Sequence, residues 1–421
     1  MDRWNKIKIR AIEGKLFQNI KILKQLKLGK VAKILDKYFG WLVRTFWNRE
    51  TQICHNKILF ISFNKLYTCN PKYICQEIIR RNLDYELIWL ISPNDRSAFP
   101  ACVKRIPIGT VAAYREMCSA QIIIENAYLS QEIGYITLPK EQYRIQTWHG
   151  SLGIKQFGPA FDSVKSRVKA AKRAGKLNNL FLSNSHFETT QVAPVFWHNS
   201  EICEWGHARN DILFHQDPIQ LENIRSRLSI GNCTKVALYA PTYSDSKDLN
   251  HYNIDYERLR CSLHTRFGGD WVILVKLHTS MRRYAEKLQY SNQVINVSQY
   301  NDIQELMLIS DVAITDYSSW IFDFVLMKKP AFLYADDIQD YEAERGLYYP
   351  LYTTPFPVSS TNEELENNII NFDSEKYLKN VDQFLKRMGC VEDGYAAKRV
   401  VDRIEEIMKC YIAQFKDEVA K

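Results

Sequence analysis

From Lys57 onward the chain alternates short apolar runs with stretches of helical character, and this alternation restricts the possible folds more than any other feature. Five runs come first: "KILFISF" (57–63), "YELIWLIS" (85–92), "AQIIIEN" (120–126), "YRIQTWH" (143–149) and "NLFLSNS" (179–185). Five more follow: "KVALYAPT" (235–242), "WVILVKLH" (271–278), "QVINVS" (293–298), "VAITDYS" (312–318) and "PAFLYA" (330–335). Dense runs of Ile, Leu, Val and aromatics are what strands buried on both faces of a parallel sheet require. Two such series separated by helices predict an α/β protein with two Rossmann-like doubly wound domains facing a cleft. The polar "FHQDP" at 214–218 marks the division, giving a first domain over 51–215 and a second over 216–421 that ends in helices from Glu363. A length of 421 residues agrees with two cores rather than one.

The first 50 residues have a different character. They carry 13 Lys or Arg against 4 Asp or Glu, so the chain's net charge of +8 is concentrated in this arm. Ile12, Leu16, Ile20, Leu23, Val31, Ile34 and Leu35 recur mostly at helical steps, and "YFGWLVRTFW" (38–47) sets Trp41 and Trp47 on either side of Arg44. The pattern predicts a basic amphipathic helical arm over 1–50 that associates with an anionic membrane surface. Packing on the main body or on a second copy in a homo-oligomer is the alternative. Nucleic acid is not expected, because no other basic-aromatic motif supports it. No apolar run reaches 18 residues and no signal peptide is evident, which predicts a peripheral protein on the cytoplasmic side. Ten cysteines without a CxxC pair predict reduced, mostly buried thiols and no zinc framework.

In open α/β sheets, ligands bind beyond the carboxyl ends of the strands. Polar residues cluster at four such ends: His149 in "TWHG", Thr242 in "APT", Lys276 and His278 in "KLH", and Asp316, Ser318 and Ser319 in "TDYSS". A lone histidine is more often a core-edge residue satisfied by a carbonyl, but one facing a ligand cleft is a candidate for proton transfer. Ser318 and Ser319 are placed to cap the following helix, which also contains Asp323, and to offer an anion site. Arg209 in "HARND" is either a fork for phosphate or the partner of Asp211 in a structural ion pair. No carboxylate cluster or DxD element calls for a metal, and no cofactor is expected.

Taken in order, "SFNKLYTCNPKYI", "TWHGSLGIKQFG", "SNSHF", "GHARNDIL", "YAPTY", "KLH" and "DIQELMLISDVAITDYSSWIFDF…KKPAFLYADDIQDYEAERGLYY" resemble the CDP-glycerol glycerophosphotransferase family of teichoic-acid-type primases and polymerases. The resemblance covers roughly 57–350 and is strongest over Asp302–Tyr348. It implies a GT-B-like fold and transfer of glycerol phosphate or ribitol phosphate from CDP-glycerol or CDP-ribitol, with CMP released. The acceptor would be a hydroxyl of a lipid-linked glycan or polyol-phosphate polymer at the cytoplasmic face of a bacterial membrane. His149 would be the general base and His278 with Lys276 would stabilise the transferring phosphate. Arg209, Ser318 and Ser319 would hold the diphosphate, with Thr242, Asp316 and Asp323 also on the substrate side. The chain departs from the family pattern at Ser151–Leu152, Lys155–Gln156, Thr279 and Ala208. A nucleotide-sugar glycosyltransferase of the same fold and a non-catalytic membrane assembly subunit are the alternatives.

Overall fold

The computed structural model describes residues 52–419, apart from 94, 96, 128–137, 157–167, 169–170, 174, 243–253, 279–280, 287 and 289. The expected basic arm over 1–50 lies outside the described residues. Strands β1 (Cys54–Ile61), β2 (Glu86–Ile91), β3 (Val103–Pro107), β4 (Ala120–Glu125), β5 (Tyr143–Gln146), β6 (Leu180–Ser183) and β7 (Glu201–Glu204) form one sheet in the order β3-β2-β1-β4-β5-β6-β7. Strands β8 (Lys235–Tyr239), β9 (Trp271–Val275), β10 (Val294–Asn296), β11 (Val312–Thr315), β12 (Ala331–Tyr334) and β13 (Val358–Ser359) form a second, ordered β10-β9-β8-β11-β12-β13. Every ladder in both sheets is parallel. Strand order therefore reverses at β1/β4 and again at β8/β11, which gives each sheet a switch point where a crevice opens.

The register explains why the central strands are continuously apolar. Ile58 stands opposite Leu87 and Ile122, and all three enter the core that continues into the second sheet. One residue on, Leu59, Ile88 and Ile123 point the other way, into a smaller core closed by Ala113, Met117 and Cys118 of the helix Val111–Ser119. Successive side chains alternate between faces, so a strand covered on both sides needs apolar residues at every position.

The chain passes from the first sheet to the second between Glu204 and Lys235. It returns at the end, where the helix Ala396–Val419 packs against the helix Cys69–Arg80. Arg81 fastens that contact, donating to Asp402 at 2.7 Å and Glu405 at 2.9 Å. The ten cysteines are all free, but only Cys75, Cys118 and Cys203 are buried. Cys102, Cys233, Cys261 and Cys410 are exposed on turns and helix surfaces, which corrects the expectation of mostly buried thiols. Among the described residues no helix is long and apolar enough to cross a membrane.

Candidate active site

The loop Thr147–Gly150 leaves the carboxyl end of β5 and is held by buried side chains from two neighbouring elements. Asn70, on the helix Cys69–Arg80, donates to the carbonyls of Thr147 (2.6 Å) and Trp148 (3.1 Å). Arg209 donates to the carbonyl of Gly150, and its own amide donates to Asn70 Oδ1 at 3.0 Å. These bonds hold Trp148 at φ +51°, a left-handed conformation that a bulky residue adopts only when its surroundings impose it. Gly150 is required beside it, because a Cβ there would lie 2.5 Å from the Trp148 ring nitrogen.

This loop delivers His149 to the carboxyl ends of β1 and β4, at the crevice that faces the second sheet. Its Nδ1 lies 2.5 Å from the carbonyl of Asn126, the first residue after β4. A carbonyl can only accept, so Nδ1 carries the proton and Nε2 keeps the lone pair. Phe63 stacks on the imidazole at 5.1 Å, while its amide donates to Asn126 Oδ1 at 2.6 Å. His149 is exposed at the surface of the crevice, but the atoms crowded around its ring desolvate the imidazolium; Arg209 and Lys155 act in the same direction and the Asn126 carbonyl against it. Its pKa falls from the ordinary histidine value to about 4, so the free protein carries a neutral imidazole.

Across the crevice, the carboxyl end of β9 supplies Lys276 and His278. Lys276 donates to the carbonyl of Tyr300, and desolvation followed by repulsion from Arg282 lowers its pKa to about 7. His278 is lowered to about 4, first by desolvation and then by Lys155, Lys276 and Arg282. Lys155 acts on both imidazoles, and Lys276 and Arg282 act on His278, so three basic side chains and two neutral imidazoles face the crevice.

Asp316 bridges the second switch point. Its carboxylate accepts the Thr242 amide at 2.8 and 2.9 Å and the Tyr317 amide at 2.5 Å, tying the turn after β8 to the turn after β11. Burial raises the Asp316 pKa despite these bonds. The expected helix cap is corrected. Ser319 takes the N-cap position of the helix Trp320–Phe324, but its φ and ψ of −70° and −8° are already helical and its side chain makes no capping bond. A five-residue helix is also too short to build an anion site from its dipole. Ser318 and Ser319 remain partly exposed at the mouth.

Arg209 and Asp323 sit behind this surface. Arg209 is 3% exposed and donates from Nε to Asp323 Oδ2 at 2.9 Å, while Asp323 is 1% exposed. The ion-pair alternative for Arg209 is realised with Asp323 rather than Asp211. Asp211 instead accepts the amides of Ala396 and Ala397, at the start of the last helix. Asn210 joins Asp323 (3.1 Å) to Glu392 (2.8 Å), and Glu392 accepts the His207 amide. His207 Nε2 lies 3.1 Å from Glu188 with both side chains fully buried. Burial raises Glu188 and Glu392 to about 8 and lowers His207, so this network minimises its own charge.

Asn70, Asn126 and Lys155 were not singled out from the sequence as site residues. Asn126 was legible by the rule that exposed His149, since it too is a polar residue just beyond the carboxyl end of a strand. Asn70 gave no signal, because its partners are backbone carbonyls 77 and 78 residues away.

A fixed-tautomer base facing a cluster of cations is the equipment of an enzyme that moves a phosphate-bearing group. The family model for CDP-glycerol:poly(glycerophosphate) glycerophosphotransferase matches residues 42–406, and the chain belongs to that family. The match reaches further towards both ends than residues 57–350. The chain is 29% identical to a teichoic acid poly(glycerol phosphate) polymerase of Staphylococcus epidermidis, over 95% of this chain but 59% of that protein. It is 29% identical to a polymerase of the same description from Bacillus spizizenii, over 89% of this chain and 99% of that one. A solved structure of the wall teichoic acid polymerase TagF, a histidine variant, superposes with a TM-score of 0.79 at 26% identity, covering 96% of this chain and 99% of that one. A related TagF structure was obtained after a soak with CDPG.

Proposed function

We propose that this chain moves glycerol phosphate, or ribitol phosphate, from a CDP-polyol to a hydroxyl of a lipid-linked wall-polymer acceptor, in a GT-B-type cleft between its two sheets. The observation that carries the reading is His149, whose proton is fixed on Nδ1 and whose Nε2 is left to take one from the acceptor. The acceptor oxygen attacks the β-phosphorus in line as its proton passes to Nε2. The bond from that phosphorus to the bridging oxygen breaks, and the electron pair leaves with CMP. His278, Lys276 and Arg282 face the phosphates from the second sheet and offset the charge that develops on them. In the free protein Lys276 is only partly charged and His278 neutral, so the arriving diphosphate draws protons onto them. Ser318 and Ser319 supply hydroxyls at the mouth, while Thr242 is buried and held by Asp316 through its amide. Arg209 and Asp323 act from behind, holding the His149 loop rather than the diphosphate. No step requires a metal.

The basic amphipathic pattern of residues 1–50 supports a peripheral place on the anionic cytoplasmic face of the membrane, where such an acceptor is anchored. The test is a panel of CDP-glycerol, CDP-ribitol and UDP-sugars in excess chelator with membrane-derived acceptors, scored by nucleotide released. Acceptor-dependent CMP release from a CDP-polyol is expected. Release of UDP alone would give the cleft to sugar transfer instead.

A further inference from the structure

Past Gly150 the chain does not turn back into the first sheet but crosses to the second half of the molecule. The carbonyl of Ile154 accepts the Tyr348 amide at 2.9 Å, and the Gln156 amide donates to the Gly346 carbonyl at 3.1 Å. Gln156 Nε2 adds a bond to the Leu347 carbonyl at 2.8 Å, and the Tyr349 hydroxyl donates to the Leu152 carbonyl at 2.7 Å. Lys155 and Leu347 form an antiparallel bridge at the centre of this clasp. Gly153 makes the approach possible: its φ is +63°, and a Cβ there would meet the Phe187 and Tyr348 rings at 3.0 and 3.1 Å.

In an extended pair, successive side chains take opposite sides. Leu152 and Ile154 are buried in the core, so Lys155 between this core and Gln156 is turned the other way, and it is exposed. Its ammonium acts electrostatically on His149, His278 and Asp316, three groups that come from the ends of β5, β9 and β11. The clasp therefore sets one cation of the first half against the catalytic faces of both halves.

We infer that Lys155 binds the diphosphate of the donor and neutralises the charge that gathers on the departing CMP oxygen. This rests on the proposed transfer from a CDP-polyol and adds a residue that no motif assignment gave to the site. Lysine suits the task as a compact point charge on a flexible stem, able to follow the phosphate as the β-phosphorus changes partners. It stays protonated throughout; the acceptor's proton goes to His149. Because the clasp is made by backbone, by Gln156 and by Tyr349, replacing the Lys155 side chain leaves it in place.

The test compares Lys155→Met and Lys155→Arg with the full-length wild type. For CDP-glycerol, kcat/KM should fall about 100-fold in the Met variant, the scale of losing one charge-stabilising donor. Arg should restore most of it, with the thermal midpoint unchanged in both. The acid limb of the kcat/KM profile should also move up in Lys155→Met, because a cation that depresses His149 is gone. Activity within about threefold of wild type with an unmoved limb would overturn the inference. So would equal losses in Met and Arg accompanied by a fallen thermal midpoint. Titration with CDP by calorimetry keeps the two claims apart. A wild type that binds CDP, a Met variant that binds it at least tenfold more weakly, and no CMP release by either would sink the transfer reaction and leave Lys155 as a diphosphate contact.

Discussion

At the scale of single residues, the proposed transfer depends on where the His149 proton sits and how readily Nε2 takes another. The Asn126 carbonyl fixes the first, and the desolvated crevice with Arg209 and Lys155 governs the second. The base must be neutral to act, and its lowered pKa keeps it neutral well below the ordinary histidine value. The acid limb of kcat/KM, which reports the free enzyme, should therefore lie nearer pH 4 than 6.5, leaving activity flat at about pH 6. The limb of kcat should lie higher, because a bound diphosphate favours the imidazolium. Replacing His149 by Ala should lower turnover by about two to four decades with little change in donor affinity. A kcat/KM limb at 6.5 or above would mean that the crevice does not desolvate His149 as described.

At the scale of elements, the central feature is a loop whose strain is held by its neighbours. Asn70 satisfies two of its carbonyls and Arg209 a third, with Asp323 locking Arg209 in turn. Asn70→Ala should leave both carbonyls without their partners and let Trp148 relax from its left-handed conformation, moving His149. Misplacing a catalytic group by about 1 Å can cost 10²-fold, so kcat should fall by about 10- to 100-fold with donor KM nearly unchanged. A rise in KM with kcat intact would instead place Asn70 among the donor's contacts. None of this was legible in the sequence, since a strained φ and a side chain that holds distant carbonyls leave no periodicity. The strands were legible for the opposite reason. All ten predicted runs are strands, and the three that escaped, β3, β7 and β13, lie at sheet edges. There Lys104, Arg105, Glu201 and Glu204 face solvent and interrupt the apolar run. Most predicted runs also extend past the true carboxyl end, as "YRIQTWH" does past Gln146 and "WVILVKLH" past Val275. The surplus residues include the candidate site residues His149, Lys276 and His278, where the chain leaves the ladder and its side chains turn from packing to polar contacts.

At the scale of the whole molecule, the cleft has a defined width because charged groups join its two walls. Lys72, on the helix Cys69–Arg80, reaches Asp302 at 2.5 Å and Glu305 at 2.8 Å at the start of the helix Ile303–Ile309. Tyr73 donates to the same Asp302 oxygen at 3.0 Å, and Thr68 donates to the Asn301 carbonyl at 3.1 Å. The Lys72 and Asp302 side chains are 8% and 4% exposed, so water compensates neither charge if the other is lost. Removing one partner of a buried pair costs about 3–5 kcal/mol, most of it from the charge left behind. Lys72→Met keeps the apolar stem but leaves the buried Asp302 without its cation, while Glu305 retains Arg227 at 3.0 Å, and should lower the thermal midpoint markedly. Asp302→Asn removes that carboxylate yet still caps the helix through Gln304, because Asn is as good an N-cap as Asp. The double variant should then be less destabilised than the sum of the singles, with a coupling of about 0.5–3 kcal/mol. The same contact reaches the chemistry, since Tyr300 and Asn301, next to Asp302, hold Lys276 and Arg282. Lys72→Met should accordingly raise the KM for CDP-glycerol while the acid limb set by His149 stays in place. Strictly additive stabilities would show that Lys72 and Asp302 do not act as a pair, and an unchanged KM would show that the clamp is structural without bearing on the cleft.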